Sequence, residues 1–259
     1  MDTQPILDDA VKLFQEELAG NLAGVYLHGS LAMNSFHPEQ SDIDLLIVVN
    51  RPPGPELLKT LARRIVDLHE SIPMPRGIEL SIVLARYLQE FEHPTPFEFH
   101  FSEAHLLRYK EDENYLCGGF ADADLAAHFT VVYLRGIALY GPQPREAIAP
   151  VDKRHFIQSI LWDIENADKE IVKQPVYYTL NLCRALAYLS EEKVLSKREG
   201  GEWGLQALPE KHSGIIQHAL NAYTGKPVSG TVNDGQFTSF AQDLLSDIHK
   251  KAQHHMPVS

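Results

Sequence analysis

Cysteine is nearly absent: Cys117 and Cys183 are the only two in 259 residues. They have neither metal-ligand nor redox spacing, which excludes a disulfide framework, a zinc ribbon and Cys-x-x-Cys chemistry and fits a reducing compartment. Both are expected to be core thiols. Basic residues are outnumbered, 23 Lys and Arg against 35 Asp and Glu, for a formal charge of −12. No basic stripe exists to neutralise phosphates along a polymer, so a nucleic-acid partner is not expected. An acidic surface suits a cationic small molecule instead. No stretch approaches the ~18 apolar residues of a membrane span. The first residues, Met1-Asp2-Thr3-Gln4-Pro5, have neither a basic n-region nor an apolar core. A cytoplasmic protein with no membrane contact is therefore expected.

What the chain has is enough apolar residue, 44%, for one large or two ordinary globular domains. Its most informative stretch begins with the β-prone run Val25-Tyr26-Leu27-His28, followed directly by Gly29-Ser30. Then comes Ser41-Asp42-Ile43-Asp44, opening the apolar run Leu45 to Val49, which is bounded by Asn50 and Pro52-Pro53. Both runs read as strands. Side chains alternate along a strand, so Asp42 and Asp44 point to one face roughly 6.6 Å apart. Unpaired carboxylates at the mouth of a buried strand are costly without a cation. An oxygen-only pair suits Mg²⁺, which takes one or two carboxylates and completes its shell with water and substrate phosphates. Gly29 permits close backbone approach, and Ser30 offers a hydroxyl and an N–H to a phosphate where a short helix begins.

Elsewhere, Ile6, Leu7, Ala10, Val11, Phe14 and Leu18 have helical spacing, ended at Gly20. After the Pro52-Pro53-Gly54-Pro55 break, Leu57, Leu58, Leu61, Ile65 and Leu68 predict a second amphipathic helix. Ile78 to Leu84 predicts a half-buried strand with Glu79, Ser81 and Val83 on its outer face, and Phe97, Phe99 and Phe101 alternate as one further strand would. Asp122-Ala123-Asp124 repeats the Asp-x-Asp pattern but precedes a helical run, so it reads as an N-cap without chemistry. A linker at Ile148-Ala149-Pro150 separates residues 1–150 from residues 151–259. Beyond it, apolar residues at helical spacing predict a bundle: 156–164, 180–189 opened by Pro175, 215–223 and 237–248.

Gly-Ser after a strand, a short helix, then Asp-x-Asp at a strand start resembles the nucleotidyltransferase superfamily whose prototype is DNA polymerase β. The flanking residues, Val25-Tyr26-Leu27-His28-Gly29-Ser30 and Ser41-Asp42-Ile43-Asp44-Leu45-Leu46, resemble more narrowly the aminoglycoside (3'')/(9) adenylyltransferases. The resemblance covers roughly residues 1–225. It implies an α+β chain, a nucleotidyltransferase domain with a mixed sheet (1–150) followed by an all-α bundle (151–259) that completes the nucleotide and acceptor sites. It also implies an enzyme that carries AMP from ATP to a hydroxyl of a small acceptor with Mg²⁺ on Asp42 and Asp44. Spacing alone makes Glu79 an ordinary solvent-facing strand residue. The resemblance gives it the role of catalytic base, because Ile78-Glu79-Leu80-Ser81 matches the family's Leu-Glu-hydrophobic-Thr context. Likewise Arg184, Lys197 and Tyr223, unremarkable by themselves, match the arginine, lysine and tyrosine with which the family's helical domain holds ATP, alongside Gly29 and Ser30.

The chain departs from family members that accept streptomycin. Where those carry a tryptophan after a Gln-Phe-Gly-Glu-like run, this sequence has His100-Phe101-Ser102-Glu103-Ala104. Where they carry an aspartate before the arginine helix, it has Lys173-Gln174-Pro175. The expected acceptor is a cationic aminoglycoside or aminocyclitol, spectinomycin-like rather than streptomycin, bordered by Asp163, Glu165, Asp168 and Glu170 on one bundle helix. A monomer is expected. Two other readings are weaker. In a toxin–antitoxin nucleotidyltransferase pair, the helical partner carries an arginine followed closely by histidine, which Arg184 is not. A non-catalytic nucleotide sensor would have lost an acidic residue, whereas Asp42, Asp44 and Glu79 are all present.

Overall fold

The computed structural model describes residues 2–228 and 230–255. The chain forms two compact units that meet at Val151 and Asp152. The first is built on a five-stranded sheet of β1 (Leu22–His28), β2 (Ile43–Val49), β3 (Ile78–Leu84), β4 (Phe99–Phe101) and β5 (Ile137–Tyr140), in the order β4-β3-β2-β1-β5. The sheet is mixed: β2 and β3 are parallel, and every other neighbouring pair is antiparallel. A parallel pair needs a long crossover, and helix Pro55–Ser71 supplies it. That helix has Pro55 in its first turn and buries Leu58, Leu61, Ala62, Ile65 and Val66 along one stripe. Helix Gln4–Leu18 buries Leu7, Ala10, Leu13, Phe14 and Leu18 in the same core.

β2 and β3 have the same burial profile, in which every residue is buried except the second: Asp44 in β2 and Glu79 in β3. The expectation of a half-buried β3 is corrected here, since Ser81 and Val83 are buried as well. Central strands of a covered sheet are apolar on both faces, so an acid is tolerated only at the strand's open end. The aromatic alternation at 97–101 also resolves differently. Phe99–Phe101 joins the main sheet, while Thr95–Phe97 pairs with Phe120–Asp122 in a separate two-stranded ribbon.

The second unit is helical. Its central element, α1 (Pro175–Glu191), is buried nearly all round, including Tyr178 to Cys183 and Ala185 to Leu189, the pattern of a helix enclosed by others. It packs on Lys153–Ile164, on α2 (Lys197–Ala207), on Ser213–Tyr223 and on Asp234–His255. α2 is not legible from periodicity because Gly200, Gly201 and Gly204 are poor helix formers. Its capping box, Ser196 with Glu199, nucleates it. The glycines let helices approach: a Cβ on Gly204 would lie 2.8 Å from Cys183 Sγ. Cys117 and Cys183 are both free and buried. Among the described residues no helix is long and apolar enough to cross a membrane.

Candidate active site

Strand register builds the site in the first unit. His28 pairs with Asp44 across β1 and β2, and Asp44 pairs with Glu79 across β2 and β3. Residues directly paired project to the same face, and neighbouring strands lie roughly 4.8 Å apart. Three ionisable side chains therefore stand in one row at one end of the sheet. Asp42, two residues before Asp44 and just ahead of the strand, is half-buried. The loop leading to it is held by Ser41, whose Oγ accepts from His37 N–H at 3.1 Å and whose N–H donates to His37 O at 2.8 Å. Ile43 N–H then donates to Gly77 O at 2.9 Å, fixing where β2 begins.

At the end of β1 the chain turns into the one-turn helix Gly29–Ala32. Gly29 has φ +64°, and a Cβ there would fall 1.8 Å from Asp44 Oδ2. The carboxylate thus rests against a bare Cα, and only glycine leaves it that space. Beside it, Ser30 Oγ is buried and has no hydrogen-bond partner among the described residues. A buried hydroxyl without a partner costs free energy unless a ligand completes it.

A second layer comes from residues that sequence patterns passed over. Asp124 is the N-cap residue of helix Leu125–Arg135, yet its side chain makes no cap bond. It pairs instead with His128, Oδ2 to Nε2 3.3 Å, so Asp124 holds the expected N-cap position while its carboxylate is turned to the histidine. The signal was available, since Asp124 and His128 are an i,i+4 pair. The His128 ring meets His28 edge-on at 5.2 Å between centroids. Burial works against charge on His128, but the bond to Asp124 and the charges of Asp124, Glu79 and Asp44 outweigh it and raise its pKa to about 9. Burial, then the adjacent His128, pushes His28 well below its usual value. On β4, His100 pairs with Ser81 of β3, on the face that carries Glu79, and shares a 3.0 Å hydrogen bond through Nδ1 with Ser81 Oγ. Burial, with the charges of His105 and His128, pushes His100 down to about 4.

These opposed histidines predict the pH dependence of stability. Unfolded histidines protonate near 6.5, which folded His100 and His28 resist, so stability falls as pH drops below 6.5 and, for His100, stops falling below about 4. The full His100 contribution is on the order of 3 kcal/mol. His128 acts with the opposite sign: its contribution is complete below 6.5 and is lost as pH rises through about 9. Denaturant titrations of His100→Asn between pH 7 and 4 should show a shallower acid limb than the parent. Superimposable limbs would remove His100 from this account.

In the second unit Arg184 lies on α1 and Lys197 is the first residue of α2. Arg184 Nε donates to Leu195 O at 2.7 Å and its NH1 to Asn181 Oδ1 at 2.8 Å. Lys197 Nζ stands 5.3 Å from the centroid of the Tyr177 ring. Tyr223 is buried at the end of helix Ser213–Tyr223, which packs on both α1 and α2. The four acids expected on one helix are divided. Asp163 belongs to Lys153–Ile164 and Glu165 follows its end, whereas Asp168 and Glu170 lie in the short helix Ala167–Glu170.

Residues 7–88 match the family model of the nucleotidyltransferase domain, and residues 146–247 match that of the aminoglycoside adenylyltransferase C-terminal domain. The chain thus joins a nucleotidyltransferase domain to an aminoglycoside adenylyltransferase C-terminal domain. It is an enzyme, a nucleotidyltransferase. Family relatives include aminoglycoside (3'') (9) adenylyltransferases of Klebsiella pneumoniae, 25% identical over 94% of each chain, and of Escherichia coli, 26% identical over 94% of this chain and 91% of that one. The fold is similar to that of spectinomycin adenyltransferase AAD(9) from Enterococcus faecialis, crystallised with ATP and spectinomycin. That match has a TM-score of 0.78 and 20% identity, and covers 96% of this chain and all of that one. The α+β architecture, a mixed sheet followed by a helical region, is the one expected of the family.

Proposed function

We propose that the chain transfers AMP from ATP to a hydroxyl of a small cationic acceptor, an aminoglycoside or aminocyclitol of the spectinomycin rather than the streptomycin kind. The observation that carries this reading is the row formed by Asp44 and Glu79 on the parallel strands β2 and β3, with the unpartnered Ser30 hydroxyl at the adjoining turn. A base, a cation-seeking acid and a phosphate-seeking donor at one sheet end suit in-line phosphoryl chemistry.

The donor set fits Mg²⁺. Among the described residues no group of three or more His, Cys, Asp or Glu side chains could hold a metal by itself. Two carboxylates completed by water and phosphate oxygens are what Mg²⁺ commonly takes, so Asp42 and Asp44 would hold it. When bound it would neutralise triphosphate charge and act as a Lewis acid at the transferring group. The protein's part is positioning and proton transfer. Glu79 takes the proton of the acceptor hydroxyl as its oxygen bonds to the α-phosphorus, and the bond from that phosphorus to the departing pyrophosphate breaks. Ser30, over Gly29, donates to phosphate oxygens. Arg184 and Lys197 add charge-assisted hydrogen bonds to the β- and γ-phosphates, and Tyr223 contributes to holding the nucleotide.

Specificity follows from Ala104 and Gln174, which supply neither a stacking ring nor a carboxylate. The absence of each contact costs on the order of 1–3 kcal/mol. Mass spectrometry of spectinomycin and streptomycin after incubation with enzyme, ATP and Mg²⁺ tests the reading. An AMP adduct on spectinomycin with little or none on streptomycin is expected. Efficient modification of streptomycin would refute the specificity, and no adduct on any aminoglycoside or aminocyclitol would refute the acceptor class.

A further inference from the structure

We propose that Asp163 is a positioning residue that aims Arg184, through Asn181, at the triphosphate. The proposal rests on the reading of Arg184 as a phosphate contact and extends it. Tyr177, Asn181 and Arg184 occupy positions i, i+4 and i+7 of α1, so their side chains form one stripe. Asp163 faces that stripe and uses both carboxylate oxygens on it. The Tyr177 hydroxyl donates to Oδ1 in a short hydrogen bond, and Asn181 Nδ2 donates to Oδ2 at 3.2 Å. Asn181 then accepts from Arg184 NH1.

The chemistry of these groups sets a direction. A carboxylate only accepts, so the buried Asn181 amide must turn its NH₂ toward Asp163 and its oxygen toward Arg184. With a neutral amide at position 163 either orientation of Asn181 would be allowed, and one of them sets NH₂ against guanidinium. The arginine stem is confined as well: it passes over Gly200, where a Cβ would lie 2.6 Å from Arg184 Cγ, and Nε is tied to Leu195 O. A guanidinium held at Nε and NH1 is fixed in one plane. Asp163 is thus tied into the polar network of α1 rather than serving as an exposed acid for a cationic acceptor.

Calorimetric titration of the full chain with ATP in Mg²⁺, and with AMP, tests this in Arg184→Ala, Asp163→Asn and the double variant. Arg184→Ala is expected to weaken ATP at least tenfold and Asp163→Asn about tenfold. The double variant should be no more than about threefold weaker than Arg184→Ala alone, since both act through one guanidinium. AMP, which lacks the β- and γ-phosphates, should bind all variants within about twofold of the parent. General damage to the unit would instead lower ATP and AMP binding together, and that outcome overturns the proposal. If Arg184→Ala weakens ATP while Asp163→Asn does not, or if the two losses multiply, Asp163 does not act through Arg184 and the reading of Arg184 stands. If Arg184→Ala leaves ATP affinity unchanged, both fail. Should Asp163→Asn lack a cooperative thermal transition, Asn181→Leu, which removes the bridge at similar volume, is expected to reproduce the ATP-selective loss. Unchanged ATP affinity in that variant overturns the proposal.

Discussion

Replacing Gly29 by alanine is expected to lower turnover by about two orders of magnitude while leaving the protein folded. Two costs arise at once. The residue sits at φ +64°, a region that costs an L side chain about 1–2 kcal/mol. The new methyl would also be placed 1.8 Å from Asp44 Oδ2 and 2.5 Å from Asp44 Cγ. No pair of atoms tolerates that approach, so either the carboxylate rotates away or the turn that carries Ser30 shifts. Each response displaces a group whose value lies in its position, and a misplacement of about 1 Å costs on the order of 100-fold in rate. Thermal unfolding should register only the smaller backbone term. Gly54→Ala is the control, because a Cβ there meets nothing within 4 Å, and its turnover should stay within about twofold of the parent, as a Gly-to-Ala change at an N-cap costs roughly 1 kcal/mol of stability and nothing at the site. Parent-like pyrophosphate release by Gly29→Ala would show that Asp44 does not need its observed place.

Replacing Glu79 by glutamine is expected to leave ATP affinity within a few-fold and to reduce turnover by about 10²–10⁴, the usual worth of a positioned general base. Glutamine keeps the shape of the side chain at the one half-exposed position of β3, so the strand and its register with Asp44 should persist. What disappears is the carboxylate proposed to accept the acceptor's proton. The separation of binding from chemistry is the diagnostic result. If calorimetry shows ATP–Mg²⁺ binding collapsing in parallel with turnover, Glu79 acts chiefly on the metal and not as a base.

Much of this architecture is legible in the chain because it depends on local rules. The β-branched run Ile43 to Val49 between turn residues is a strand in almost any context, and the stripes of Gln4–Leu18 and Pro55–Ser71 have a helical period with apolar residues on one face. Gly29 next to a strand end, with Asp42 and Asp44 at the next strand's start, is enough for composition to predict a turn suited to a ligand. Other features give no such signal. α2 is masked by three glycines whose purpose is close packing, a property of its neighbours and not of its own residues. The Phe97–Phe101 alternation cannot reveal that a ribbon and a sheet divide it, because both use the same period.

The sequence by itself determined most of the element types and the carboxylate pair, because alternation, helical period and turn chemistry act over a few residues, and its resemblance to the nucleotidyltransferase superfamily supplied the character of the chemistry. Tertiary structure alone decided what those residues meet. The parallel register of β2 and β3 places Glu79 beside Asp44, although 34 residues of chain separate them. Packing brings His128, with Asp124, against His28 and raises its pKa. Helix packing sets Asp163 against Tyr177 and Asn181, where an acid expected to border the acceptor becomes part of the Arg184 network. Strand register and helix packing are chosen by the free energy of the whole core, which no short window of sequence contains.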